Sequence, residues 1–284
     1  VSATRTRGTS ARDALDGAIT AIAAAGCETP RLDAELLLAH VLEVPRERLL
    51  IDRDLVVGGT AVRAFQHAVR RRAVEREPVA YIVGARHFRE LELAVDPRVL
   101  VPRPESELLV ESALALAPGA RVLDVGTGSG AIALALKHER PDLDVLASDA
   151  SAAALDVARA NATRLGLDVG FVEADLLDGA PDELDAVLAN LPYVATGERA
   201  TLAPEITRHE PPMALFAGVD GLDAIRALAA QLAARERIAA VALEVGVGQA
   251  PTVAAMLRAA GFASVECIRD LAGIERVVAG ERAR

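Results

Sequence analysis

Two strand-like runs near the carboxyl end, Val265–Arg269 and Glu275–Val278, are joined only through Leu271-Ala272-Gly273. This short joint constrains the 284-residue chain more than any other feature. A parallel pair needs a crossover of a dozen residues or more, so these two runs must pair as an antiparallel hairpin. Upstream, strand patterns at Arg121–Val125, Asp144–Ser148, Gly170–Glu173, Asp185–Ala189 and Ala239–Glu244 alternate with helical patterns at Ser129–Glu139, Ala152–Leu165, Gly221–Glu236 and Gln249–Ala260. Such alternation builds a parallel sheet with helices on both faces. The fold class is therefore α/β, with seven strands, mostly parallel and closed by one antiparallel strand.

The first eighty or so residues have a different period. Ala11–Ala25 repeats apolar residues at helical spacing and stops near Gly26. Pro30 opens a second helix with Leu32, Leu36, Leu37, Ala39 and Val41 as its apolar face, and a third begins near Pro45. The fourth, Ala61–Arg76, carries Arg63, Arg70, Arg71, Arg72 and Arg76 on polar positions, which read as a solvated face or as a docking surface. His87 to Val95 alternates as a hairpin would. The expected organisation is a helical domain over 1–84, a β-hairpin and proline-rich linker over 85–105, and a sheet domain over 106–284.

Composition narrows the function classes. Aromatic residues are 2% of the chain and Trp is absent, so Ala, Val and Leu must fill the core. No apolar run reaches the roughly 18 residues of a membrane span, and Val1 to Arg12 lacks an apolar signal core. The expectation is a cytoplasmic protein with a frayed start. Cys27 and Cys267 lie in apolar surroundings and read as small core residues. The five histidines show no metal-ligand spacing, so no metal is expected. Residues 1–84 carry 12 basic and 11 acidic side chains against 19 and 30 in 85–284, so +1 against −11. An acidic sheet domain is poorly suited to grip a nucleic acid backbone, and no direct nucleic-acid partner is expected.

The run Arg121-Val-Leu-Asp-Val-Gly-Thr-Gly-Ser-Gly130 passes from a buried strand into a helix. Glycines there allow a sharp turn, and the next helix offers free backbone N–H groups to a nucleotide-like cofactor. Gly126, Thr127, Gly128, Ser129 and Gly130 are the candidate loop. NAD would fit a relaxed version of this pattern as well. A sheet closed by an antiparallel strand favours S-adenosylmethionine, since dinucleotide dehydrogenases end in parallel strands. Asp149, nineteen residues past Gly130, ends the second strand and can accept both hydroxyls of an adenosine ribose. Asp175 could bond the adenine amino group with Leu176 packed on the ring. Asp124 could orient the methionine amino group, or simply brace the turn.

Asn190-Leu191-Pro192-Tyr193 follows the fourth strand, at the edge where doubly wound sheets bind ligands. An amide nitrogen is a poor nucleophile because its lone pair is delocalised. Two acceptors, the Asn190 side-chain oxygen and the Leu191 carbonyl, would aim that nitrogen and draw density onto it. Tyr193 would stack on the flat acceptor, and Pro192 holds Leu191 extended. The pattern points to methyl transfer onto a nitrogen.

Beyond these motifs the chain resembles the bacterial protein-(glutamine-N5) methyltransferases that act on peptide chain release factors, the PrmC/HemK-like family. Arg31-Leu-Asp-Ala-Glu-Leu-Leu-Leu38 is similar to their amino-terminal domain, and Glu77-Pro-Val-Ala-Tyr-Ile-Val-Gly84 with Phe88 to their interdomain segment. Val99-Leu-Val-Pro-Arg-Pro-Glu-Ser-Glu107 is similar to their PRPE(T/S)E signature. Glu210-Pro-Pro-Met-Ala-Leu215, Asp220-Gly-Leu-Asp223, Leu243-Glu-Val-Gly246 and Asp270-Leu-Ala-Gly273 match later blocks in order. The resemblance implies a Rossmann-like class I methyltransferase domain and S-adenosylmethionine held by Gly126 to Gly130 and Asp149. It implies that Asn190 to Tyr193 hold the glutamine of a Gly-Gly-Gln tripeptide in class 1 release factors. The helical domain would then recognise the release-factor body, and Pro102, Arg103, Pro104 and Glu105 would line the site. Where that family usually has Asn-Pro-Pro-Tyr, this chain has Leu191. Asn-Leu-Pro-Tyr also occurs in enzymes that dimethylate adenine in ribosomal RNA, which lack the PRPE segment and the helical domain.

Overall fold

The computed structural model describes residues 8–52 and 54–283. The chain forms two compact units: one runs to Gly84 and takes in Ala203–His209, and the other holds Ala85–Leu202 and the chain from Glu210 on.

The first unit is built on α1 (Ala11–Ala24), α2 (Pro30–Leu42), α3 (Arg46–Ile51), α4 (Gly59–Ala73) and α5 (Val79–Val83). Its core gathers Ile22, Leu37, Leu38, Leu49 and Phe65. Ser10 caps α1 by accepting the Asp13 N–H at 3.1 Å. Thr9–Ser10 (β1) pairs antiparallel with Val56–Val57 (β2). The expected frayed start is thus overturned from Thr9 onward, because a cap and a strand pair hold it; residues 1–7 of that expectation lie outside the described residues. The apolar face of α2 is also rotated from the expected one. Ala34, Leu37 and Leu38 are buried and Leu32 is exposed.

The arginines of the fourth helix need a correction too. Arg72 is buried, its Nε donates to Asp33 at 2.6 Å, and its Nη2 donates to Glu205 at 3.1 Å. Arg76, past the helix end at φ 58°, donates to Glu205 at 2.6 Å and to the Ala25 carbonyl at 2.7 Å. Polar spacing on a helix says nothing of a carboxylate more than a hundred residues away that can neutralise an inward guanidinium.

The second unit opens with a hairpin of β3 (Ala85–Phe88) and β4 (Leu91–Ala94). The short helix α6 (Glu107–Ala113) follows a 3-10 turn at Pro104–Ser106. The sheet is then laid down by β5 (Arg121–Val125), α7 (Ala131–Glu139), β6 (Asp144–Asp149), α8 (Ala152–Leu165), β7 (Gly170–Glu173) and β8 (Ala186–Ala189). After α9 (Pro204–His209), which belongs to the first unit, come α10 (Asp223–Ala233), β9 (Ala240–Glu244), α11 (Ala250–Ala259), β10 (Ser264–Arg269) and β11 (Glu275–Glu281). The seven strands lie in the order β10-β11-β9-β8-β5-β6-β7, with β11 antiparallel to both neighbours and the other pairings parallel. The α/β class and the closing antiparallel hairpin are as read from the sequence. β11 runs three residues past its expected end, because it pairs along both edges.

Side-chain alternation along β5 divides the core. Leu123 and Val125 pack with α10 and α11, while Val122 joins α6, α7 and the hairpin residues Phe88, Leu91 and Leu93. The expectation of two core cysteines fails at Cys267. Cys27 is buried, but Cys267 is exposed on β10, an edge strand on which no residue is fully buried. Among the described residues no helix is long and apolar enough to cross a membrane.

Candidate active site

The chain goes outward from β5 to β6 and β7, then returns to β8 on the other side of β5. This reversal opens a crevice at the carboxyl ends of β5 and β8, the position at which doubly wound sheets take ligands. The parallel register pairs Val125 with Ala189, so the glycine loop and Asn190 emerge side by side. A cavity of about 270 Å³ lies there, within the second unit.

The loop after β5 takes its shape from three glycines at positive φ: Gly126 at 72°, Gly128 at 56° and Gly130 at 86°. At Gly130 a Cβ would meet Leu134 Cδ1 at 2.9 Å and Ala158 Cβ at 3.3 Å, so α7 can start here only on a glycine. At Gly126 a Cβ would meet Leu191 Cδ2 at 3.2 Å. Leu191 is buried in the core, so the departure from a proline there fills space against the loop. The buried Asn161 side chain clamps the loop from behind. Its Nδ2 donates to the carbonyls of Ser129 and Ala94, and its Oδ1 accepts the Ala94 N–H.

Asp149, at the end of β6, accepts the Gly128 N–H on one oxygen and the Ser151 N–H on the other, both at 2.9 Å. Burial pushes its carboxyl pKa up, against these two backbone bonds. Asp149 lines the cavity and each oxygen keeps a lone pair for a hydroxyl. Asp124 lies behind the loop and outside the cavity wall. Its Oδ2 accepts the Thr127 hydroxyl at 2.6 Å and the Ala133 N–H at 3.2 Å, while Oδ1 is buried with no hydrogen-bond partner among the described residues. Burial pushes Asp124 up to about 7. α7 has no side-chain cap of its own, so a strand carboxyl caps it instead.

Asp175 and Leu176 also line the cavity, the latter at φ 57°. Leu177 N–H donates to Gln231, and Arg235 donates to the carbonyls of Leu177 and Pro181, which holds this turn in place. Arg103 and Pro102 line the cavity, and the Arg103 guanidinium sits 2.7 Å from both oxygens of the buried Glu210. Pro104 and Glu105 are not part of the wall.

Asn190, Leu191 and Pro192 line the cavity. Tyr193 stands outside the lining; its ring edge is against Gly246 and its hydroxyl donates to Glu244 Oε1 at 3.3 Å. Burial and the neighbouring carboxyl raise the Tyr193 pKa, keeping it a neutral donor. The Asn190 Nδ2 donates to Ser106 Oγ at 2.9 Å, and Ser106 Oγ donates to Glu244 Oε2 at 2.6 Å. Burial pushes Glu244 up to about 7, with the Ser106 and Tyr193 hydroxyls pulling it down. The sequence reading missed Ser106, Glu210 and Glu244 as site residues. The available signal was a carboxylate ending the apolar run Val241-Ala-Leu-Glu244, since a buried charge needs a reason.

Residues 13–84 match the PrmC N-terminal domain family, and residues 104–211 match the methyltransferase small domain family. The release factor glutamine methyltransferase of Deinococcus radiodurans is 43% identical, over 96% of this chain and 98% of that protein. That of Cereibacter sphaeroides is 43% identical, over 94% of this chain and 97% of its own. A solved methyltransferase from Pyrococcus furiosus shares the fold with a TM-score of 0.51 at 17% identity, over 68% of this chain and 90% of that one. By its identity to these relatives over nearly its whole length, the chain belongs to the release factor glutamine methyltransferase family.

Proposed function

We propose that this protein transfers a methyl group from S-adenosylmethionine to the side-chain amide nitrogen of the Gly-Gly-Gln glutamine in class 1 release factors. The observation that carries this reading is the state of Asn190. Its amide nitrogen is held by Ser106, its oxygen takes no hydrogen bond from a described residue, and Asn190 lines the cavity. An acceptor oxygen beside the glycine loop is what an N–H of a primary amide needs. With the Leu191 carbonyl it would take both amide hydrogens and set the nitrogen in line for displacement. Transfer needs no strong base, because the proton can leave after the methyl has arrived.

The donor set suits S-adenosylmethionine better than a dinucleotide. Asp124 already caps the start of α7, where a pyrophosphate would otherwise bind the helix N-terminus. Asp149 offers acceptor oxygens for ribose hydroxyls, Asp175 an acceptor for the adenine amino group, and Leu176 an apolar face for the ring. When bound, the cofactor supplies an electrophilic methyl on a sulfonium. Arg103, locked to Glu210, lines the cavity and would meet the incoming tripeptide. The helical unit would grip the body of the release factor, so that remote binding energy selects a small tripeptide, and the site of action would be the cytoplasm.

Mass spectrometry of a class 1 release factor after incubation with the protein and S-adenosylmethionine tests this. One added methyl on the Gly-Gly-Gln glutamine is the expected result. An unmodified release factor, with label incorporated into RNA or DNA instead, would overturn it.

A further inference from the structure

Four polar side chains from three separated stretches of sequence meet beside the cavity in one chain of hydrogen bonds: Asn190, Ser106, Glu244 and Tyr193. Glu244 ends β9, and the register pairs its neighbour Leu243 with Ala189, so Glu244 lies alongside Asn190. Ser106 and Glu244 are 3% and 1% exposed, so each depends mainly on protein partners for its hydrogen bonds. The direction of each bond then follows from counting protons. An ionised carboxylate only accepts, and a serine hydroxyl has one proton. When ionised, Glu244 takes that proton, so toward Asn190 the serine oxygen can only accept. The Asn190 NH₂ must therefore face Ser106, and the amide oxygen must face the other way.

We infer that Glu244 and Ser106 are positioning residues that fix the Asn190 amide with its oxygen presented to the acceptor nitrogen. The inference rests on the reading of Asn190 as the group that receives the substrate amide. Without the carboxylate, Ser106 could donate to the Asn190 oxygen and turn the amide over. An NH₂ would then confront the NH₂ of the substrate. The same carboxylate also anchors the Tyr193 hydroxyl, so Glu244 ties both side chains of the acceptor motif to one strand end. The groups bearing on Glu244 besides these hydroxyls are Glu105 and Arg276, of opposite sign.

The test compares Ser106→Val with Ser106→Thr, a pair matched in volume and differing in the hydroxyl, at pH 8, where Glu244 is ionised. The Asn190 side-chain amide is followed by nitrogen-15 NMR, assigned by its loss in Asn190→Ala. Ser106→Val should speed exchange of its protons at least tenfold, and Ser106→Thr should leave it near the wild-type rate. In methyl transfer to a release factor, Ser106→Val should lower kcat at least thirtyfold with KM within threefold, and threonine should restore most of the rate. Glu244→Leu gives a second, independent perturbation and should lower kcat in the same way. Unchanged exchange in Ser106→Val, or equal kcat for the valine and threonine variants, overturns the inference. Faster exchange in Ser106→Val, with a wild-type protein that leaves the glutamine unmethylated, would uphold the network and sink the substrate reading instead.

Discussion

Leu176 is held at φ 57°, a backbone conformation that costs an L-residue with a Cβ about 1–2 kcal/mol. The residue is half-buried and lines the cavity, and its neighbours are pinned through Gln231 and Arg235. Strain of this kind survives when the surroundings over-determine it and the side chain is needed where it points. Leu176→Gly separates the two roles. It relieves the backbone by about 1–2 kcal/mol, against roughly 0.5–1 kcal/mol for the added freedom of glycine and about 1 kcal/mol for lost apolar burial. Stability should stay within about 1 kcal/mol of wild type. Cofactor binding should suffer more. If the side chain covers on the order of 60 Å² of an adenine ring, at ~25 cal/mol/Å² its loss costs about 1.5 kcal/mol, roughly tenfold in Kd. Leu176→Asn, which tolerates the same backbone but lacks the apolar face, should show the same loss. Isothermal titration with S-adenosylmethionine measures the affinity, and urea unfolding measures the stability. Wild-type affinity in both variants would refute the contact, and a stability loss of several kcal/mol in the glycine variant would refute the strain argument.

Asn190→Ala should abolish methyl transfer while S-adenosylmethionine affinity stays within a few-fold by titration; loss of cofactor binding would mean that the acceptor site is misassigned. Gly130→Ala combines positive φ with a Cβ at 2.9 Å from Leu134, and should cost about 2–4 kcal/mol in urea unfolding. Asp124 carries a pH signature. Its folded pKa is raised from 3.8 to about 7, so between those values the native state keeps a proton that the unfolded state has released. Its contribution to stability is therefore present at low pH and lost as pH rises toward 7. Wild type should lose stability relative to Asp124→Asn across that window, by at most about 4 kcal/mol, and parallel unfolding curves at pH 5 and 8 would contradict it.

What the sequence made legible follows the range of the forces involved. The buried strand Arg121–Val125, the glycine turn after it and Asp149 at the next strand end were readable, because each depends on neighbours within a turn or a strand. So was the closing hairpin, where a short joint admits one pairing. The Ser106–Glu244 bond was not, since 138 residues separate its partners, and a carboxylate ending an apolar run signals a buried charge without saying which residue answers it. Arg72 misled for the opposite reason: its helical position looked solvated, and its neutralising partners, Asp33 and Glu205, lie 39 and 133 residues away. Tyr193 was legible as part of a motif, but its anchorage to Glu244 was not.

The seven residues Ala203–His209 carry one further consequence. Because α9 completes the first unit through Glu205, the chain passes between the two units at three places rather than one. A cut after Gly84 would therefore not release an autonomous helical module. It would strip Arg72 and Arg76 of their shared carboxylate, Glu205. Separate expression of the first unit must therefore supply Ala203–His209 along with the residues up to Gly84.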